Sequence, residues 1–301
     1  MKAKVTIFFT AVFISLSACC QIDDTMQIYK YLTLDSVIIS DVRGGFDVNA
    51  FIRLVEDDTT FYQAFRNLRK VEYTSASNIL IYDKKGKQEA SYAGIATQLL
   101  KNNCRWMQFS NENIMGDFYD DGDMNYYTAK MFAYIFLYRD TICNNNKTTT
   151  ASYDKKIESR KDQLKIIMFD PGKKVDGIPF IKNKTAVFDF DIMKHYDFFI
   201  SSENYLNVDC YVFSFQLNED SKQKDVVVQQ MKTWFDKKTF QIVARTYDLR
   251  YDAGVYDFDV QMDVQLGMKN NIYIPTQIKY TGNWDVPGKS RERGRVEVYI
   301  D

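Results

Sequence analysis

A single histidine, His195, stands in the 301 residues, so imidazole chemistry has almost nothing to build on. One imidazole cannot make a usual zinc site without several cysteine or carboxylate partners. G-x-S-x-G, H-E-x-x-H and G-x-x-x-x-G-K-[ST] are all missing, which leaves no nucleophile elbow, no zincin helix and no phosphate-cradling loop. Proline (4) and glycine (13) are scarce, and no proline- or serine-rich linker or internal repeat interrupts the chain. A loop-rich or disordered chain is thereby disfavoured. Lys and Arg do not cluster among aromatics, and the net charge is −1, so nothing here is an electrostatic footprint for nucleic acid.

Long hydrophobic runs are also few. Lys2 and Lys4 precede a twelve-residue apolar stretch, Val5 to Leu16, which has the length of a secretory signal and falls short of the roughly 20 residues that span a bilayer. Leu16-Ser17-Ala18-Cys19 follows and is similar to the bacterial lipobox, in which the cysteine is acylated after cleavage. Residues 1–18 are read as signal peptide, Cys19 as the lipid-bearing residue, and residues 19–44 as a tether or edge segment. The alternative is ordinary cleavage a few residues later, giving a soluble periplasmic protein. Without residues 1–18 the net charge is −3. Roughly 280 mature residues are enough for a substantial core.

Five cysteines fit an oxidising compartment. With Cys19 acylated, three pairings of the rest are possible, and Cys104 with Cys143 is preferred. It would close a loop of about 40 residues, worth roughly 4 kcal/mol in the chain-entropy model. Cys210 sits in strand-like sequence as a small buried residue, and free, packed thiols are the competing account.

Aromatics make up 15% of the chain, more than a helical bundle needs. Their spacing is clearest near the C-terminus. Tyr256, Phe258, Val260, Met262, Val264 and Leu266 alternate with Asp257, Asp259, Gln261, Asp263 and Gln265, as in a half-buried antiparallel strand. Tyr211–Leu217, Ile272–Tyr280 and Arg295–Ile300 alternate likewise. Two more strands, Asp225–Phe235 and Phe240–Tyr251, meet at the turn Asp236–Thr239, so residues 205–301 predict a six-stranded meander. Upstream, Asp47 and Asp58 are candidate caps for helices carrying Phe51, Leu54 and Val55, then Phe61, Ala64, Phe65 and Leu68. Val71–Tyr82 and Gln88–Ile95 predict a hairpin, Cys104–Ser110 a further strand, and Asp154–Met168 a helix stopped at Asp170-Pro171-Gly172. One apolar sheet face must be covered. The expected fold is therefore α+β: a strongly curved antiparallel meander, an incomplete β-barrel, with helices packed on its concave face.

The closing meander and its central hairpin, W-F-D-K-K-T-F-Q-I-V-A-R (Trp234–Arg245), resemble the periplasmic lipoprotein carriers and receptors of the LolA/LolB type. The resemblance covers residues 205–301 best and 45–110 loosely. It implies a single half-barrel domain over 45–301 whose hydrophobic concave side receives acyl chains. Residues 111–200 depart from the pattern as a long aromatic insertion.

Other candidate chemistry has a plainer account. Asp117–Asn125 places Asp117 and Asp121 on calcium-loop positions, but Tyr119 and Thr128 occupy positions where oxygen ligands belong. Asp189-Phe190-Asp191 and Asp257-Phe258-Asp259 have Asp-x-Asp spacing, yet alternation sets Asp257 and Asp259 on the outer face beside Arg245, Arg250 or Lys279. His195 reads as a packed or surface residue, Asp191 as the start of a short helix Ile192–Phe199, and Leu34–Ser40 as an edge strand. The run Tyr126–Tyr138 is either core or a hydrophobic lid.

The expectation is thus a non-catalytic, exported envelope protein, anchored at the outer membrane through Cys19, with no metal or cofactor. It holds an apolar small molecule or lipid against Tyr211, Phe213, Phe215, Tyr256, Phe258, Val260, Met262, Val264, Ile274 and Ile278. The alternative is a half-barrel filled by its own insertion, a structural or interaction module whose envelope protein partner meets the outer sheet or the Asp117–Asp123 loop.

Overall fold

The computed structural model describes residues 25–143, 167–175, 181, 183–252, 254, 257–285 and 290–301. The signal segment, Cys19 and Tyr256 lie outside the described residues, as does the predicted helix over Asp154–Met168 up to residue 166; Ile167 and Met168 are helical.

Thr25–Ile28 (α1) leads to a three-residue strand, Leu32–Leu34 (β1). Asp35 then caps Ser36–Arg43 (α2), accepting a hydrogen bond from Ile38 N at 2.8 Å. The predicted edge strand Leu34–Ser40 therefore ends almost where it begins. Its apolar run belongs to a helix because Asp35 satisfies an orphan amide of the first turn. Val48–Asp57 (α3) is capped by Asp47 and buries Val48, Phe51, Ile52 and Val55. Leu54, expected on that face, is turned outward. Asp58 accepts from Thr60 N at 3.0 Å at the start of Thr60–Asn67 (α4), which buries Phe61, Ala64 and Phe65.

Tyr73–Tyr82 (β2), Gln88–Lys101 (β3) and Cys104–Met115 (β4) follow as two hairpins. The acidic loop forms a small hairpin, Tyr119–Asp120 (β5) with Asp123–Met124 (β6), around Asp121 and Gly122, both at positive φ. The aromatic run forms Tyr127–Phe136 (α5), and Ile142–Cys143 (β7) pairs with β4. Past one helical turn at Phe190–Met193 the chain enters Tyr196–Tyr205 (β8). The helix predicted over Ile192–Phe199 gives way there because Tyr196, Phe198 and Ile200 point to one face at strand spacing and are fully buried. Val208–Leu217 (β9), Val228–Asp236 (β10), Ile242–Asp252 (β11), Asp257–Lys269 (β12), Ile272–Asp285 (β13) and Glu292–Ile300 (β14) complete the sheet, each antiparallel to the next. The six-stranded meander is present as predicted.

All strands except β5 and β6 form one twelve-stranded sheet in the order β1-β8-β9-β10-β11-β12-β13-β14-β2-β3-β4-β7. The last strand pairs with β2, with Glu297 opposite Asn78, so the closing meander is joined to the β2–β4 hairpins inside the sheet. Among the described residues, parallel pairing occurs only where β1 runs beside β8. The edges β1 and β7 do not meet, and the barrel stays incomplete. One apolar face carries the core. Phe51 of α3 lies 5.3 Å from Phe235, Phe61 of α4 is 6.2 Å from Tyr247, and Phe132 of α5 is 5.1 Å from Tyr280. The helices therefore cover the sheet from β10 to β13 on the same side. The other face keeps one apolar patch, in which Tyr205 stacks on Trp234 at 4.6 Å beside buried Cys210, Val212 and Ala244.

Candidate functional site

Phe213, Phe215, Phe258, Val260, Met262, Val264, Ile274 and Ile278 are all buried in one continuous core with the inward side chains of α3, α4 and α5. Protein atoms surround them. Phe213 and Phe215 meet Phe198, and Phe188 lies 6.0 Å from Phe213. Phe258 lies 5.0 Å from Trp284. Tyr211 alone is half-exposed, between Phe46 at 4.3 Å and the Lys237 ammonium at 4.6 Å. The segment from 111 to 170 supplies part of this cover: Phe132 approaches Phe169 at 6.2 Å, and Tyr247 donates its hydroxyl hydrogen to Met168 O.

A charged group sits inside this core. Arg245 is 4% exposed, donates from Nε to Thr233 Oγ1 at 3.0 Å, pairs with Asp58 at 3.4 Å and stacks over Phe61 at 4.4 Å. Its predicted place on the outer face is wrong. Arg245 shares the parity of Tyr247, Leu249 and Tyr251, all buried, so the alternation turns it inward and Asp58 compensates its charge. Burial pushes the nearby Asp170 carboxyl up to about 6, against the pull of Arg245 and Lys173.

The core reaches the surface in a slot of about 40 Å³ between α4, α5 and the β3–β4 hairpin. Phe65, Leu68, Ile135 and Phe169 give it an apolar floor, and Arg66, Arg69 and Arg105 stand around it. Gln98, fully buried, fixes one wall. Its amide donates to Leu68 O and Val71 O, both at 2.6 Å, and its carbonyl accepts from Tyr138 OH at 2.8 Å. Arg105 lies over the Tyr138 ring at 4.5 Å. These arginines were passed over in the sequence. Arg66, Arg69 and Lys70 stand at i, i+3 and i+4, the spacing of one helix face, but that signal is visible only once α4 is known to continue into the turn at Leu68–Lys70.

The remaining candidates fall elsewhere. Cys104 and Cys143 are disulfide-bonded and tie β7 to β4, while Cys210 is a buried free thiol on the outer face. Asp117 accepts from Tyr126 OH, tying the acidic hairpin to the start of α5. Asp259 pairs with Arg250, and Asp257 with Arg291. His195 Nδ1 lies 2.8 Å from Ser221 Oγ. Among the described residues no group of three His, Cys, Asp or Glu is placed to hold a metal, and no helix is long and apolar enough to cross a membrane.

No family model matches this sequence, and no curated protein does. Among solved structures it is similar to a DUF1329 family protein from Desulfovibrio piger, at 12% identity, covering 80% of this chain and 89% of that one with a TM-score of 0.22. It is also similar to a LolA superfamily protein from Nitrosomonas europaea, at 10% identity, covering 81% of this chain and 94% of that one with a TM-score of 0.22. A proposed outer membrane lipoprotein-sorting domain from Vibrio parahaemolyticus gives 8% identity, covers 79% and 88% of the two chains and has a TM-score of 0.24.

Proposed function

We propose that the protein is an exported, lipid-anchored envelope protein that binds an apolar ligand, an acyl chain or lipid, without catalysis. The observation that carries this is the slot, where core side chains Phe65, Leu68 and Phe169 border open space at the rim of an open half-barrel. Apolar walls with a few convergent polar groups are the usual make-up of such a site. A chain cannot enter a space of about 40 Å³, which has room for a few waters at about 10–15 Å³ each. Ligand binding therefore requires α5 to move away from β13 and β14. A second reading, a half-barrel filled by its own middle segment and used as an interaction module, is favoured by the same cover: Phe132, Met168 and Phe169 occupy the concave face.

The test is native mass spectrometry of the exported Cys19→Ala chain, which lacks the acylation site. An adduct of lipid mass that organic solvent removes supports ligand binding. A clean mass, unchanged after incubation with fatty acid and phospholipid, overturns it in favour of the filled barrel.

A further inference from the structure

Three successive turns on one rim of the sheet each carry an exposed apolar side chain. The β8–β9, β10–β11 and β12–β13 turns all lie at the end where Asp236 stands opposite Cys210 and Ala244 opposite Gln265. Leu206 is 55% exposed in the first, Phe240 36% in the second, and Met268 62% just before the third. Two strands separate each turn from the next, so the side chains form a row with steps of about 10 Å. At the opposite rim the turns over 83–87 and 218–225 expose no large apolar side chain, and Phe190, Ile114 and Met115 stand at the two ends of the strand order. Scattered apolar residues are ordinary on a surface; a row of them is not.

Two of the three also occupy backbone positions that oppose them. Leu206 and Phe240 have φ of 51° and 57°, the left-handed region that a Cβ disfavours. The β3–β4 and β12–β13 turns place Asn102 and Asn270 where the β8–β9 turn has Leu206, and asparagine is what such turns favour. Neither the strain nor the exposure serves the fold. The row also adjoins the N-terminal segment. Lys237 of the β10–β11 turn pairs with Asp41 of α2 at 3.1 Å, and Phe240 rests on Tyr211 and Phe51 at 5.9 and 6.3 Å. α2 itself exposes Val37, Ile39 and Val42. From Cys19 to Thr25, where α1 begins, is six residues, a reach of at most about 22 Å. α1 in turn lies against α3.

We infer that this rim is a membrane-docking surface: Leu206, Phe240 and Met268, flanked by α2, enter the interface of the bilayer that holds the anchor. The inference rests on the lipid-anchored reading, which sets a bilayer within reach of α1, and adds the face that the protein turns towards it. Side chains spaced along turn tips suit a fluid layer that moulds around each one, whereas a protein partner needs a continuous complementary surface. Lys238 and Lys269 stand beside the row, where their stems can lie against the apolar layer while the ammonium groups stay among the headgroups.

The experiment is flotation of the exported Cys19→Ala chain with vesicles of phosphatidylethanolamine and phosphatidylglycerol, which removes the anchor from the measurement. This parent chain should float with the vesicles. Leu206→Asn/Met268→Asn should lower its partition coefficient at least about tenfold, the scale of burying one leucine side chain. Asparagine suits the turn at 206, so a thermal melt should show the variant folded. Phe190→Ser, at the opposite rim, should partition as the parent does. Equal partition of the parent and the double variant overturns the docking surface, as does a parent that stays off the vesicles. Self-association of the parent that the double variant loses, without vesicle binding, reassigns the rim to a second copy of the chain. The mass of the exported wild-type chain, with or without diacylglycerol on Cys19, decides the anchor separately, so failure of one reading is not mistaken for failure of the other.

Discussion

Arg245 and its neighbours show how a charge is kept inside an apolar half-barrel. The guanidinium is held by Thr233, Asp58 and the face of Phe61, and Asp58 at the same time accepts from the first amides of α4. Removing one member of such a pair is far costlier than the pair is worth, because the other is left buried and unpaired. Asp170 has the opposite character. Burial raises its carboxyl to about 6, so the folded state holds the proton more tightly than the unfolded chain does. Its contribution is fully present below the ordinary pKa near 3.8 and is lost as pH rises through about 6. At neutral pH the ionised carboxylate is therefore a net cost. Asp170→Asn removes that cost, and relative to wild type it should gain stability as pH goes from 4 to 7, by up to about 3 kcal/mol. Urea unfolding of both proteins at the two pH values measures this. A difference that stays constant across the window would show that Asp170 is solvated in the native state.

Helix α5 is positioned by tertiary contacts, since its own sequence offers no cap. Tyr126 stands at the N-cap with no side-chain bond to the helix amides, and the orphan amides of Tyr127 and Thr128 donate instead to Glu292 of β14 at 2.8 and 2.7 Å. Two residues on, Gly294 lets the helix come close: a Cβ there would lie 2.7 Å from Thr128 Cγ2. Glu292→Gln keeps the shape but removes the charge facing the helix N-terminus, and should cost about 1 kcal/mol. Chemical denaturation reads that loss, and Gly294→Ala should add to it by pushing α5 outward. Neither residue is recognisable in sequence, because a cap supplied 165 positions away in the chain leaves no local pattern. The meander is legible for the converse reason: each strand's alternation and each turn are local. Even so, the β8–β9 turn hides a fault. Leu206 and Asn207 both take positive φ, 51° and 64°, and Leu206 is exposed there with nothing to offset a conformation that costs a side chain of its kind about 1–2 kcal/mol. Its counterparts at the β3–β4 and β12–β13 turns are Asn102 and Asn270. Leu206→Asn should therefore raise the melting temperature by about 2–4 °C, seen in a thermal melt; no rise would mean that the turn relaxes in solution.

At the scale of the whole molecule, an open sheet of twelve strands has two problems, its edges and its concave face. The edges are managed by brevity: β1 has three residues, β7 has two, and β7 is tied down by the Cys104–Cys143 bond. The concave face was legible as an apolar surface but not as a filled one. Hydrophobic side chains that line a cavity and those that meet a helix have the same pattern, and only the positions of Phe51, Phe61 and Phe132 distinguish them. Those positions also determine how the barrel could open. α3 and α4 are capped within their own segments and succeed each other through Asp58, which is locked to Arg245. α5 is attached at separated points: Glu292 at its start, and at its end Tyr73 OH donating to Ile135 O at 3.2 Å. It also borders the slot through Tyr134 and Ile135. If an acyl chain enters, α5 has fewer local ties to lose than α3 and α4, and it is the element that must yield. Hydrogen exchange with and without dihexanoyl phosphatidic acid should therefore change protection in residues 127–136 while that of 48–57 holds. Unchanged exchange in α5 at saturating ligand would place any bound lipid on the surface and leave the filled half-barrel as the functional form.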